Sequence, residues 1–177
     1  MSLKNSLELK NNILKYLRIK EADENLIKDI EECLDEIEKA NSFKYIYRKY
    51  DEIFGFLNSE PYLSFLKDCD GFYLIAVTLG YEIENRIKYL SKTNTAKMII
   101  MDAACSASLE YLADNYEKNL GSNLTYRFCP GYSKSDINDI KIIYQLLKAE
   151  KIGIEILDSC MMIPQKSMIG IVGIRKS

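Results

Sequence analysis

Residues 72–77, Phe-Tyr-Leu-Ile-Ala-Val, form an unbroken apolar run. A run so short fits a strand buried inside a sheet, and such a strand needs neighbours to pair with and helices to cover it. Asp68-Cys69-Asp70-Gly71 precedes it and reads as a turn. Gly80 ends it, and residues 81–90 read as a helix. A strand, a glycine and a helix in succession also describe a phosphate-binding loop. Neither Gly-x-Gly-x-x-Gly nor the Walker pattern is present here, so a plain glycine turn is the reading.

The rest of the chain alternates helical and extended patterns. Leu9, Ile13, Leu14 and Leu17 give a short helical repeat over residues 5–18. Leu26, Ile27, Ile30, Leu34 and Ile37 fall on one stripe of an amphipathic helix over 24–40, whose acidic remainder is a solvated face. Phe43, Tyr45 and Tyr47 alternate as in a strand over 43–48. Ser59 and Pro61 open a short helix. Thr93 or Thr95 is positioned to cap the longest helix, about 95–119, where Ala96, Ala103, Ala104 and Ala107 permit close approach of another element. The turn Gly121-Ser122-Asn123 leads to an extended piece over 124–128. Residues 136–149 read as a helix with Ile140, Ile143, Leu146 and Leu147 inward and Gly153 as its stop. Strands follow over 154–157 and 168–174. The pattern predicts one α+β domain over 1–177, with helices packed around a twisted, mostly antiparallel sheet. Its N-terminal part, about 1–40, is helical.

The 177 residues include no histidine. Imidazole metal ligands, histidine-based triads and the commonest general base are therefore absent from this sequence. The five cysteines are dispersed, odd in number and form no Cys-x-x-Cys pair, which argues against a structural zinc site or a disulfide framework. Free thiols in a reducing cytoplasm are the simple reading. The net charge of −2, with no long basic stripe, gives a nucleic-acid partner no electrostatic support. No apolar run approaches the roughly 20 residues a membrane span needs. No bound metal is expected, and any chemistry falls to a cofactor or a partner.

Arg127-Phe128-Cys129-Pro130-Gly131-Tyr132 is the segment best suited to binding. Proline fixes its own φ and glycine accepts φ > 0, so Pro130-Gly131 sets a tight turn beside Tyr132. A guanidinium suits a ligand carboxylate held by two parallel bonds. The alternative for Arg127 is a salt bridge. Tyr132 can offer its ring to a cation, or serve as a core tyrosine, one of thirteen in the chain.

The segment resembles the Arg-x-x-x-Gly-Tyr signature of the activation domain of cobalamin-dependent methionine synthase, which binds S-adenosylmethionine. Two further segments carry the resemblance. Glu110-Tyr111-Leu112 matches a Glu-Tyr-Leu tripeptide in the helix before the signature. Pro164, Ser167 and Gly170 match a Met-x-Pro-x-x-Ser-x-x-Gly segment beginning at Met162. The likeness is densest over about 93–177, and the chain looks like a small stand-alone relative. Ile13-Leu14-Lys15-Tyr16-Leu17 and Val77-Thr78-Leu79-Gly80 resemble the N-terminal half of such relatives.

The resemblance implies S-adenosylmethionine as ligand, cobalamin supplied by a partner, and no independent turnover. The partner would be a corrinoid-binding protein or a split methionine synthase. A flavodoxin or ferredoxin would supply the electron that, with the transferred methyl, restores an oxidised cob(II)alamin. Arg127, Cys129, Pro130, Gly131, Tyr132, Glu110, Val172 and Gly173 would then line the ligand site, with Cys129 offering backbone groups and Glu110 either facing the ammonium or standing as an exposed helical glutamate. Three departures stand out. Val172 and Gly173 replace an aromatic pair, no histidine follows the signature tyrosine, and no aspartate aligns with the family's amino-group contact. The first of these also fits a scaffold module of the same fold that has lost its ligand. An ordinary S-adenosylmethionine methyltransferase would need a Gly-rich loop after its first strand, which is missing.

Overall fold

The computed structural model describes residues 2–176. Its elements are α1 (Leu7–Leu17), α2 (Glu24–Ala40), β1 (Lys44–Tyr50), α3 (Tyr62–Leu66), β2 (Cys69–Thr78), α4 (Gly80–Thr93), α5 (Thr95–Glu117), β3 (Leu124–Phe128), α6 (Asp139–Leu147), β4 (Glu155–Ile156), β5 (Met162–Ile163) and β6 (Ser167–Arg175). Four strands form an antiparallel sheet in the order β1-β2-β6-β3, and β4 and β5 form a separate ribbon. The architecture is α+β, as the pattern predicts.

The apolar run lies in β2, which pairs with β1 on one side and β6 on the other. Its alternation feeds two cores. Phe72, Leu74 and Ala76 join α3, α6 and Ile169 and Ile171 of β6 on one face. Val77 points to the other face, where Ile13, Ile30, Leu34, Leu90, Met101 and Ala104 bring α1, α2, α4 and α5 together. Fully burying one such leucine or isoleucine contributes about 1.5–3 kcal/mol, so the two layers jointly hold the sheet.

Local chemistry sets the element ends. Asp23 accepts a hydrogen bond from the Leu26 N–H (2.8 Å) and starts α2. Asn41 at φ 44° ends it. Helix α5 begins at Thr95, but its cap is Asn94, which accepts from the Lys97 N–H at 3.0 Å. Neither threonine performs that role: Thr93 donates its hydroxyl to the Tyr89 carbonyl at 3.0 Å. The 68–71 turn is the start of β2, with a register shift between Cys69 and Gly71. A side chain at Gly71 would lie 2.7 Å from the Tyr50 carbonyl oxygen, so glycine there lets the end of β1 lie close against β2. Helix α6 is shorter than its apolar pattern. It stops where Lys148 takes φ 56°, and Gly153 ends a following 3-10 turn instead.

Of the small residues expected to admit a neighbour, Ala103, Ala104 and Ala107 are buried where α5 packs on α1 and α2, whereas Ala96, in the helix's first turn, is exposed; Ala113 joins the buried set. No helix among the described residues is long and apolar enough to cross a membrane.

Candidate functional site

Three separate segments converge on one cleft of about 410 Å³. Helix α5 supplies Ser106, Leu109 and Glu110, the signature turn supplies Cys129, Pro130 and Tyr132, and the stretch from Cys160 to Ile169 closes the far wall. Tyr16 of α1 stands at the rim. An adjoining recess shares Glu110, Cys129, Tyr132 and Met168 and adds Arg127. The volume lies in the range of small-molecule sites, about 300–1,000 Å³.

The turn is built as its residues dictate. Gly131 takes φ 93°, and a side chain there would meet Ile137 Cδ1 at 2.6 Å. Ser135 Oγ accepts the Gly131 N–H (2.9 Å) and donates to the Tyr132 carbonyl (2.6 Å), which ties the loop to itself. Tyr132 is left 71% exposed, with its ring at the mouth of the cleft rather than in a core. Cys129 is a free thiol, and burial pushes its pKa up. It is therefore protonated at neutral pH and no nucleophile.

Glu110 is exposed in the middle of the cleft. The Tyr16 hydroxyl donates to its Oε1 at 2.8 Å. Burial, with this bond second, pushes the Tyr16 pKa up to about 12, so the phenol remains a donor. Among the described residues no lysine or arginine pairs with Glu110.

Arg127 is differently placed. Register pairs it with Val172 on β6, and its guanidinium reaches back to α5. One arm donates to Glu117 and the other to Asp114 Oδ1 at 2.8 Å. Its side chain is 9% exposed and that of Glu117 10%. Burial raises the Glu117 pKa, opposed by the arginine beside it. The stem of Arg127 lies over Gly170, where an added Cβ would sit 2.7 Å from its Cγ. The signature arginine and the glycine of the third motif are thus one packing unit. Val172 is fully buried beneath this arrangement. Gly173 faces the opposite layer, where a Cβ would meet Cys69 Sγ at 2.5 Å. Glu110, Cys129, Pro130 and Tyr132 share the cleft and Gly131 shapes their turn. Val172 and Gly173 line neither opening.

Lys166 is the site residue that sequence reasoning passed over. It sits inside the Pro-x-x-Ser segment, at a position that segment leaves open. Its ammonium donates to Asp102 Oδ1 at 2.7 Å and Ser106 Oγ at 2.9 Å. The Ser106 hydroxyl spends its own proton on the Asp102 carbonyl (3.1 Å), so a lone pair faces the lysine. The backbone is fixed too, because the Lys166 carbonyl accepts the Leu79 N–H at 2.9 Å. The signal was available in the spacing: Asp102, Ser106, Glu110 and Asp114 recur every fourth residue and form one polar stripe along α5.

The structure is an α+β fold with a cleft between its longest helix, the turn after edge strand β3 and the segment that leads into β6. Among solved structures, the chain is similar to the MetH reactivation domain bound to AdoHcy, with a TM-score of 0.56 and 18% identity. The match covers 85% of this chain and 65% of that one, and at this identity it shows the fold. No protein-family model matches the chain, and no curated protein matches it.

Proposed function

We propose that the chain is an S-adenosylmethionine-binding activation module that supports reductive methylation of the corrinoid cofactor of a partner methyltransferase. The observation that carries this reading is the convergence of Glu110, the 129–132 turn and the 162–169 segment on one cleft. The likeness to a reactivation domain bound to AdoHcy supports it.

The residues present suit such a ligand. Glu110, with only a phenol as partner, can receive an ammonium or sulfonium. The Tyr132 ring at the mouth can stack against a cation at about 0.5–2 kcal/mol. Leu109, Ile140, Met162 and Met168 offer an apolar, polarizable wall for a flat base. When bound, the ligand would supply its sulfonium methyl. The chain's own work would be to bind and orient it, and to keep the Cys129 thiol unreactive beside it. The methyl acceptor would be cobalamin held by a corrinoid protein or split methionine synthase, and a flavodoxin or ferredoxin would supply the electron.

One observation favours the rival scaffold reading: Arg127 is committed to Glu117 and Asp114. Titration calorimetry of the purified protein with S-adenosylmethionine and S-adenosylhomocysteine separates the two. Saturable heat with a rise in melting temperature is expected. No heat and no thermal shift with either compound would leave the scaffold reading in its place.

A further inference from the structure

We infer that the cleft selects ligands carrying an α-amino-acid end, with Glu110 receiving the ammonium and Lys166, not Arg127, receiving the carboxylate. The inference rests on the cleft being a ligand site, as proposed above, and names the chemistry it recognises.

Two cations beside the cleft, Arg127 and Lys166, face α5. Arg127 gives one arm to each of two carboxylates, and its side chain is 9% exposed. The group is charge-compensated where it stands, and a ligand carboxylate placed against it would face Glu117 and Asp114 as well. Lys166 faces only one carboxylate, Asp102, together with the neutral Ser106. An ammonium has three donors, so two are used and the third is free. Lys166 lines the cleft and its side chain is 14% exposed, so part of it is open to the cavity.

Spacing supplies the second half. Ser106, which touches Lys166, is one helical turn from Glu110, and successive turns are about 5.4 Å apart. The cleft therefore offers a carboxylate without a cation partner and a cation with a free donor about one turn apart. One ammonium and one carboxylate on a single carbon can bridge them through two charge-assisted bonds of about 2.8 Å each. A ligand with only one of those groups would leave the other site residue unmet. Lys166 is also pre-set for this task. Its backbone is pinned by Leu79, and its ammonium by Asp102 and Ser106, so little rotamer freedom remains to be lost on binding.

The test compares S-adenosylhomocysteine with 5′-methylthioadenosine, which keeps the adenosyl thioether and lacks the amino-acid end. Calorimetry on the wild type and on Lys166→Met measures both ligands, and melting curves check that the variant is folded. We expect 5′-methylthioadenosine to bind the wild type at least tenfold more weakly. Lys166→Met should weaken S-adenosylhomocysteine roughly ten- to a hundredfold and leave 5′-methylthioadenosine unchanged. Lys166→Arg should restore part of the loss. Equal affinity of the two ligands for the wild type overturns the inference without any variant. Unchanged binding of S-adenosylhomocysteine to folded Lys166→Met removes Lys166 from the site while leaving the proposed function standing. Absence of binding by both ligands to the wild type overturns both. If Lys166→Met melts, Lys166→Gln, which can still donate to Asp102, takes its place.

Discussion

Arg127 and Glu117 are best understood together. Each is largely buried, and each makes the other's charge tolerable. Arg127→Ala leaves Glu117 without its cation, which should cost about 3–5 kcal/mol, against under 1 kcal/mol for an exposed pair. Denaturant unfolding measures this. The pH dependence carries a sign. Burial already raises the Glu117 pKa in the folded protein, and removing Arg127 raises it further. A carboxyl with a raised folded pKa disfavours the folded state as pH climbs through that value. The deficit of Arg127→Ala relative to wild type should therefore shrink as pH falls toward the ordinary glutamate pKa of 4.5. A deficit independent of pH between 4.5 and 8 would place the cost elsewhere. The sequence left Arg127 between a ligand contact and a salt bridge, and the structure holds it in a buried salt bridge. The sequence could not say which carboxylate the guanidinium meets, because that depends on where the return from α5 into β3 sets Arg127 against Asp114 and Glu117.

At the scale of elements, Gly170 decides how closely β3 side chains lie on β6. An alanine there would press on Arg127 Cγ at 2.7 Å and on the Phe128 carbonyl oxygen at 3.1 Å. Overpacking of this kind costs about 1–3 kcal/mol. Gly170→Ala should destabilise the wild type by that amount and the Arg127→Ala background by distinctly less. A double-mutant cycle reads the coupling, and simple additivity would show that the clash is with the backbone alone. Helix α5 offers a plainer check. Asn94→Ala removes its cap and should cost about 1 kcal/mol, whereas Thr95→Ala should not. Elements with both a stripe and caps, such as α2, were legible to the residue. Thr93 misled because it too is a capping residue, and only the backbone at Asn94 distinguishes them. The end of α6 was hidden because Leu147 and Ala149 continue an inward pattern through a change from α to 3-10 geometry. Two-residue β5 carries too little pattern to be seen at all.

At the scale of the whole molecule, one ionic junction ties the helical layer together. Glu36 of α2 accepts from Arg86 of α4 at 2.5 and 3.0 Å and pairs with Lys97 of α5 at 3.2 Å. The bonds from Arg86, partly opposed by burial, hold its pKa below the usual value of 4.5. A lowered folded pKa gives stability that is present above the unfolded pKa and lost as pH falls through the folded one. The wild type should lose stability below about pH 4.5 more steeply than Glu36→Gln, as acid titration by circular dichroism would record. Identical acid limbs would remove this junction from the account. The layered sheet itself has a consequence in time. Strand β2 finds its inner neighbour β6 across the interval from Thr78 to Ser167. At about 5–20 residues per second, a ribosome needs on the order of ten seconds to cover that interval. During synthesis the most apolar strand therefore waits with one edge open. The helices on either side of it in the chain, α2, α4 and α5, are complete well before β6 appears and can shield it meanwhile.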